Sequence, residues 1–286
     1  MTMPDRRLHA YRPDLADQRL RGQVDAIAFV SGIANQVCVA VADVHRDPSP
    51  DAPVDTQVLF GETVQVFEDH EGWCWVQLDG DGYVGYMAHN ALTSKIETAT
   101  HIISVPRTFL YPGPDMKFPV TASLSMGSRL CVVGNAETRC THYLLLGSGE
   151  AVVASHVRRV EDHSGDPVAV AARLVETPYL WGGRSAFGID CSGLVQLSHA
   201  MCANALPRDS DMLRAGAGEL IGEGADHPPL RRGDLVFWKG HVAMMENDSI
   251  MLHASGHTMS VVREPFTEAV ARIGHLYGLP LAFRRP

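Results

Sequence analysis

Residues 188–200 read GIDCSGLVQLSHA and set Cys191 between Asp190 and Ser192, after a glycine-rich loop and before an apolar run. Leu194, Val195, Leu197 and Met201 recur at helical spacing, so Cys191 falls in the first turn of a helix. There the unpaired backbone N–H groups and the helix dipole favour an anion. A free thiol is only a few per cent thiolate near neutral pH. A helix start together with an imidazolium lowers a cysteine pKa to roughly 3.5–7.5. The same N–H groups can hold the oxyanion of a tetrahedral intermediate. Local sequence leaves two readings open, a nucleophile and a small buried core thiol.

A nucleophile needs a base. In GDLVFWKGHVAMMENDSIMLHASG, residues 233–256, Val242, Met244 and Glu246 alternate against His241, Ala243 and Met245. Asn247-Asp248 is a turn signal, which predicts an antiparallel hairpin of 241–246 with 249–254. A turn centred at 247 sets His241 directly opposite His253 on one face. Their Cβ atoms would then lie roughly 4.5–5.5 Å apart. His241 would be the base beside the thiol, and His253 the group that fixes its tautomer. A one-residue slip would separate them onto opposite faces. His257 falls past the strand end and reads as surface.

The elements that must position these residues follow from the patterning of the 286-residue chain, a length that suggests about two domains. Residues 14–29 carry apolar residues at 15, 20, 24, 27 and 28, a helical stripe interrupted by Gly22 and preceded by Pro13. The segment 1–32 is therefore predicted to be helical. From 33 to 98, short β-branched and aromatic runs divided by DPSPDAP, DHEG and DGDG predict a small β-barrel. From 99 to 162 the pattern returns, with Pro112 and Gly127 echoing Pro48 and Gly61, so two divergent copies of one barrel are expected. EDHSGDP, residues 161–167, reads as a linker, and 163–286 runs from helices into strands, an α+β domain.

A formal net charge of −9 argues against a general nucleic-acid or anionic-membrane binder. No run reaches 18 apolar residues, and the charged N-terminal stretch has no apolar h-region, so a cytoplasmic protein is expected. The other five cysteines fit no zinc spacing and read as small hydrophobes, and no HExxH pair occurs. Neither a metal nor a cofactor is expected.

TPYLWGGRSAFGIDCSGLVQ, LRRGDLVFWKGHVAMM and LHASG, in this order and spacing, resemble the NlpC-type family of papain-like cysteine peptidases over about 166–286. The preceding barrels resemble bacterial SH3-like domains. The whole arrangement is similar to cytoplasmic γ-D-glutamyl-L-diamino acid endopeptidases that recycle cell-wall peptides. The resemblance implies Cys191 as nucleophile, His241 as base and His253 as third polar residue. It implies Tyr179 at the oxyanion, and Asp190, Ser192, Asp209 and Ser210 as substrate contacts. From the first barrel it implies a tyrosine and an acid on the substrate amine, here Tyr86 (with Tyr83 as competitor) and Asp55 (with Glu62 as alternative). The implied substrate is a murein peptide with a free N-terminal L-Ala, cut after γ-D-Glu before diaminopimelate or lysine. Two rivals stand beside it, an endopeptidase of intact peptidoglycan and a non-catalytic wall-peptide binder. Protein partners are not legible.

Overall fold

The computed structural model describes residues 3–224 and 226–286, and the chain divides after Asp162 into two units. The helix expected within the first 32 residues does not form. Leu15–Asp17 and Ala28–Val30 pair instead as short parallel strands, joined through a single 3-10 turn, Gln18–Leu20. Asp17 accepts the Arg19 N–H at 2.9 Å and closes that one turn, and Gly22, at φ +83°, leaves helical space. The apolar stripe is buried in part, with Tyr11, Ala16, Leu20 and Val24 in a small core of their own, while Ile27 stays exposed.

Seven antiparallel strands follow, in spatial order Val54–Leu59, Val41–His45, Val84–Ala88, Trp73–Leu78, Thr63–His70, Ile33–Val37 and Leu92–Thr93. Alternate residues point inward, as period-2 patterning requires, and Val44, Val58, Val64, Val76 and Met87 fill the core. Among the described residues no ladder joins the two outer strands of this sheet. Residues 99–162 form smaller sheets around Ile103, Leu110, Leu124, Leu130 and Val152.

The two stretches repeat one turn. Gly61 N–H donates to the Val37 carbonyl at 2.9 Å, and Gly127 N–H to the Ile103 carbonyl at 3.0 Å, both glycines at positive φ. Ala40 and Phe60 of the first stretch pack into the core of the second. A Cβ on Gly61 would lie 2.2 Å from the Arg129 carbonyl oxygen, a contact only glycine permits. Of the five cysteines read as small hydrophobes, Cys74 is buried, whereas Cys38 and Cys140 are exposed.

The second unit holds four helices among the described residues: α1 (Pro167–Ala172), α2 (Cys191–Ala200), α3 (Ser210–Gly216) and α4 (Phe266–Tyr277). Asp166 caps α1 by accepting the Val168 and Ala169 N–H groups, with Pro167 at the first position. Six antiparallel strands run in the order Glu219–Gly222, Ala282–Arg285, Leu235–Trp238, His241–Met245, Ile250–Ser255 and Ser260–Pro265. Val236, Trp238, Ala243, Met245 and Met251 share one face with Ala269 and Ile273 of α4. Val242, Met244, Leu252 and Ala254 alternate to the other face, and α2 packs on their two strands.

Candidate active site

Asp190 starts α2. Its Oδ1 accepts the Gly193 N–H at 2.7 Å, and its Oδ2 accepts the Gly182 N–H at 3.0 Å. The helix start lies against the loop at Gly183, where a Cβ on residue 193 would come within 2.3 Å of the Gly183 carbonyl oxygen. Only glycine fits there. Arg208, with its side chain 1% exposed, donates to both Asp190 oxygens at 3.0 and 2.6 Å and to Ser192 Oγ at 2.7 Å. Asp190 and Ser192 are thus members of a buried ionic network that fixes the loop on which Cys191 sits. Asp209 and Ser210 follow Arg208 at the start of α3 and are half-buried. Tyr179 is bridged to Ile189, two residues before Cys191. Burial, then the charges at Cys191 and Asp190, push its phenol upward, so it stays a protonated donor.

Cys191 is buried, and the helix it opens packs on the strand that begins with His241. Burial, followed by the Asp190 charge, raises the thiol to about 12. That is opposite to the lowering expected from a helix start alone. The site is dry and has a carboxylate next door, and these outweigh the N–H groups and Arg208. Burial, then His253 and Arg272, lower His241 to about 3. The resting pair is a neutral thiol and a neutral imidazole.

The hairpin register differs from the predicted one. Met244 lies opposite Leu252 and Met245 opposite Met251, so the turn is centred one residue later than expected. The cause is Asn247, whose Oδ1 accepts the Ser249 and Ile250 N–H groups at 2.9 and 2.8 Å and draws Ser249 into the turn. Moving the centre by one residue preserves the facing of every side chain. Carried outward, this register makes His241 and His253 diagonal neighbours on one face rather than directly opposite. They still meet, with His241 Nε2 2.9 Å from His253 Nδ1. His257 is exposed.

Two residues absent from the sequence reading complete the row. Glu264 Oε2 lies 3.1 Å from His253 Nε2, and Arg272 of α4 donates to both Glu264 oxygens at 2.9 and 2.6 Å. Burial opposes the Glu264 charge, but the hydrogen bonds and charge of Arg272, together with His253, outweigh it and hold the carboxyl below its ordinary value. Burial, partly offset by Glu264, lowers His253 to about 4. The proton positions follow by elimination. An ionised carboxylate only accepts, so the His253 proton sits on Nε2 and its Nδ1 is bare. His241 must then donate from Nε2, and its own Nδ1 carries the lone pair. The signal for Glu264 was available as an acid on the strand after His253 with the same facing as Met251, its partner. Arg208 had no sequence signal beyond the need of a buried Asp190 for a cation.

Tyr86 and Asp55 belong to the first unit. Arg12 donates to the Tyr86 hydroxyl at 2.9 Å, and Asp55 pairs with Arg46 at 2.7 Å. Tyr83 is buried in the core, and Glu62 accepts the Leu59 N–H at 2.8 Å. Asp69, Cys74 and His89 bring three metal-capable atoms within 4.8 Å of one another. His89 Nδ1 lies 2.8 Å from Asp69 Oδ2, and burial with Asp69 raises the Cys74 thiol to about 11.

Residues 176–272 match the NlpC/P60 family, and residues 44–92 match the bacterial dipeptidyl-peptidase SH3 domain. Dipeptidyl-peptidase 6 of Lysinibacillus sphaericus is 27% identical over 275 residues, 85% of this chain and 100% of that protein. The γ-D-glutamyl-L-lysine dipeptidyl-peptidase of Bacillus cereus is 29% identical over 238 residues, 73% of this chain and 69% of that one. A solved NlpC/P60 family protein from Bacillus cereus superposes with a TM-score of 0.70 at 23% identity, covering 88% of this chain and 99% of the other, which establishes the shared fold. The chain carries an NlpC/P60 domain of cysteine-peptidase type over residues 176–272 and a bacterial SH3 domain over residues 44–92.

Proposed function

We propose that the protein hydrolyses the bond between γ-D-Glu and a diamino acid in cell-wall peptides that begin with a free L-Ala, as a step in recycling those peptides. The observation that carries the reading is the ordered row His241–His253–Glu264–Arg272, which starts on the strand against which the Cys191 helix packs. The names of the Lysinibacillus and Bacillus relatives support the bond and the dipeptide product.

In this reading Cys191 is the nucleophile. Substrate binding brings a carbonyl onto the sulfur, and the thiol proton passes to the bare Nδ1 of His241 as the C–S bond forms. The new imidazolium is stabilised through His253 by Glu264, which the Arg272 pair keeps ionised. The Tyr179 hydroxyl and the N–H groups at the start of α2 face the oxyanion. His241 then returns the proton to the departing amine, leaving an acyl-enzyme that water hydrolyses. Asp209 and Ser210 line the groove. Asp190 and Ser192 serve it by way of Arg208, which holds their orientation. We read the strand-rich stretches of the first unit as SH3-like modules.

The test is hydrolysis of L-Ala-γ-D-Glu-diaminopimelate by the wild-type chain and by Cys191→Ala. Cleavage at the γ-D-Glu bond, its loss in a folded Cys191→Ala variant, and resistance of the N-acetylated peptide are expected. Equal rates on free and acetylated peptide would point to an endopeptidase. Full activity of Cys191→Ala would remove the nucleophile assignment.

A further inference from the structure

Asp69, Cys74 and His89 bring a carboxylate oxygen, a thiol sulfur and an imidazole nitrogen within 4.8 Å of one another in the seven-stranded sheet of the first unit. We propose that these three side chains form a binding site for a zinc-like divalent transition metal, which clamps that end of the sheet. The site shares no residue with those assigned to cleavage.

The backbone sets the three ligands together. Asp69 lies directly opposite Cys74 on the hairpin of Thr63–His70 with Trp73–Leu78, so the two share a face. The turn between them is tight, with Glu71 at φ +50° and Gly72 at φ +83°. The Gly72 carbonyl accepts the His89 N–H at 2.8 Å, which ties the residue after Val84–Ala88 to that turn. Trp73 pairs with Ala88 in the same place. Cys74 belongs to the buried core of the sheet, whereas Asp69 and His89 are exposed. A metal held there would have its sulfur ligand on the dry side and its remaining face toward water. The ligands come from three elements, so no short motif marks them in the sequence.

The spacing and the donor set both fit. His89 Nδ1 lies 2.8 Å from Asp69 Oδ2 and 4.0 Å from Cys74 Sγ. A tetrahedral zinc, with bonds of about 2.3 Å to sulfur and about 2.0–2.2 Å to nitrogen and oxygen, holds such atoms roughly 3.3–3.7 Å apart. The observed distances bracket that range, and small rotations of the two exposed side chains close the difference. A thiolate and a carboxylate neutralise a dication, and a neutral imidazole adds the third donor. Binding releases the thiol proton to water and leaves the single imidazole proton on Nε2. Water fills the fourth position. Sulfur and imidazole nitrogen favour zinc over magnesium and calcium, which take oxygen ligands.

The test is titration of the full-length Cys191→Ala protein with Co²⁺, a spectroscopic stand-in for zinc; the substitution removes the Cys191 thiol as a competing ligand. A stoichiometric amount should produce a thiolate-to-cobalt charge-transfer band with visible d–d bands, and Zn²⁺ should displace the Co²⁺. Cys74→Ser, added to that protein, should abolish the charge-transfer band. Loss of a group one shell beyond a metal ligand already costs about 10- to 100-fold in affinity, so Asp69→Asn and His89→Ala should each weaken Co²⁺ binding by about tenfold or more. Both positions are exposed, so these two variants should fold even where Cys74→Ser does not. Zn²⁺ should also raise Tm, and Mg²⁺ at the same concentration should leave it unchanged. Absence of the charge-transfer band, its persistence in a folded Cys74→Ser variant, unchanged affinity in both Asp69→Asn and His89→Ala, or an equal rise in Tm with Mg²⁺ overturns the proposal.

Discussion

Replacing Glu264 by Gln changes one atom's capacity and should reverse the proton order of the whole row. Arg272 has only donors and would claim the amide oxygen of the new side chain. That turns the amide NH2 toward His253 Nε2, now 3.1 Å from Glu264 Oε2. His253 would have to accept there and carry its proton on Nδ1. It would then donate to His241 Nε2, and the His241 proton would move to Nδ1, the nitrogen that must receive the thiol proton. The charge-assisted bond lost from the imidazolium state is worth about 1.5–3 kcal/mol. At about 1.36 kcal/mol per factor of ten, kcat/KM should fall about 10- to 150-fold. The assay pairs steady-state hydrolysis with ¹⁵N NMR of the imidazoles, which reports the protonated nitrogen. A purely structural role for Glu264 would lower stability without moving the His241 proton. A folded Gln variant with kcat/KM within twofold of wild type and the His241 proton still on Nε2 would refute the tautomer argument.

Asp190→Ala strands the fully buried Arg208 guanidinium without its bidentate partner. Breaking such a pair costs about 3–5 kcal/mol, so the urea midpoint should drop by about 1 M or more. His199, buried on α2, is held near 4 by burial, and its Nε2 has no hydrogen-bond partner among the described residues. Its unfolded value is about 6.5, so between these values the unfolded chain binds the extra proton. The contribution is present above pH 6.5 and lost as pH falls toward 4. Near pH 5.5 the slope is about 1.4 kcal/mol per pH unit for this one group. Urea denaturation between pH 7 and 5 should show a shallower slope by that amount in His199→Leu, and an unchanged slope would refute the assignment.

The helix start at Cys191 and the strands 235–238, 241–245, 250–255 and 260–265 were legible because each buries one face and so imprints its period on the sequence. The histidine pair was legible for the same reason, since facing depends only on parity. What failed depended on single side chains acting across space. Asn247 reset the turn by bonding two backbone N–H groups, a choice no hydrophobic pattern encodes. The stripe at 15–28 can be buried either as a helix or as a folded loop, and the pairing of Leu15–Asp17 with Ala28–Val30 decided it. Arg272 comes from α4, a helix beyond the strands that carry the histidines, and its partner Glu264 is distant from Cys191 in sequence. The thiol's pKa direction depended on burial and on Asp190, neither of which the helix-start rule includes.

Phe60 has a consequence for how the first unit comes apart. It leaves the strand of the 33–98 stretch and enters the core of the 99–162 stretch, while Gly61 beside it lies against the Arg129 backbone. The Arg129 N–H also donates to the Phe60 carbonyl at 2.8 Å. The two stretches therefore do not behave as beads on a string, because the second cannot lose its interior without exposing a residue of the first. They should melt as a single cooperative body. Excising residues 99–162 would not yield a shorter working module but one with an aromatic ring left facing water.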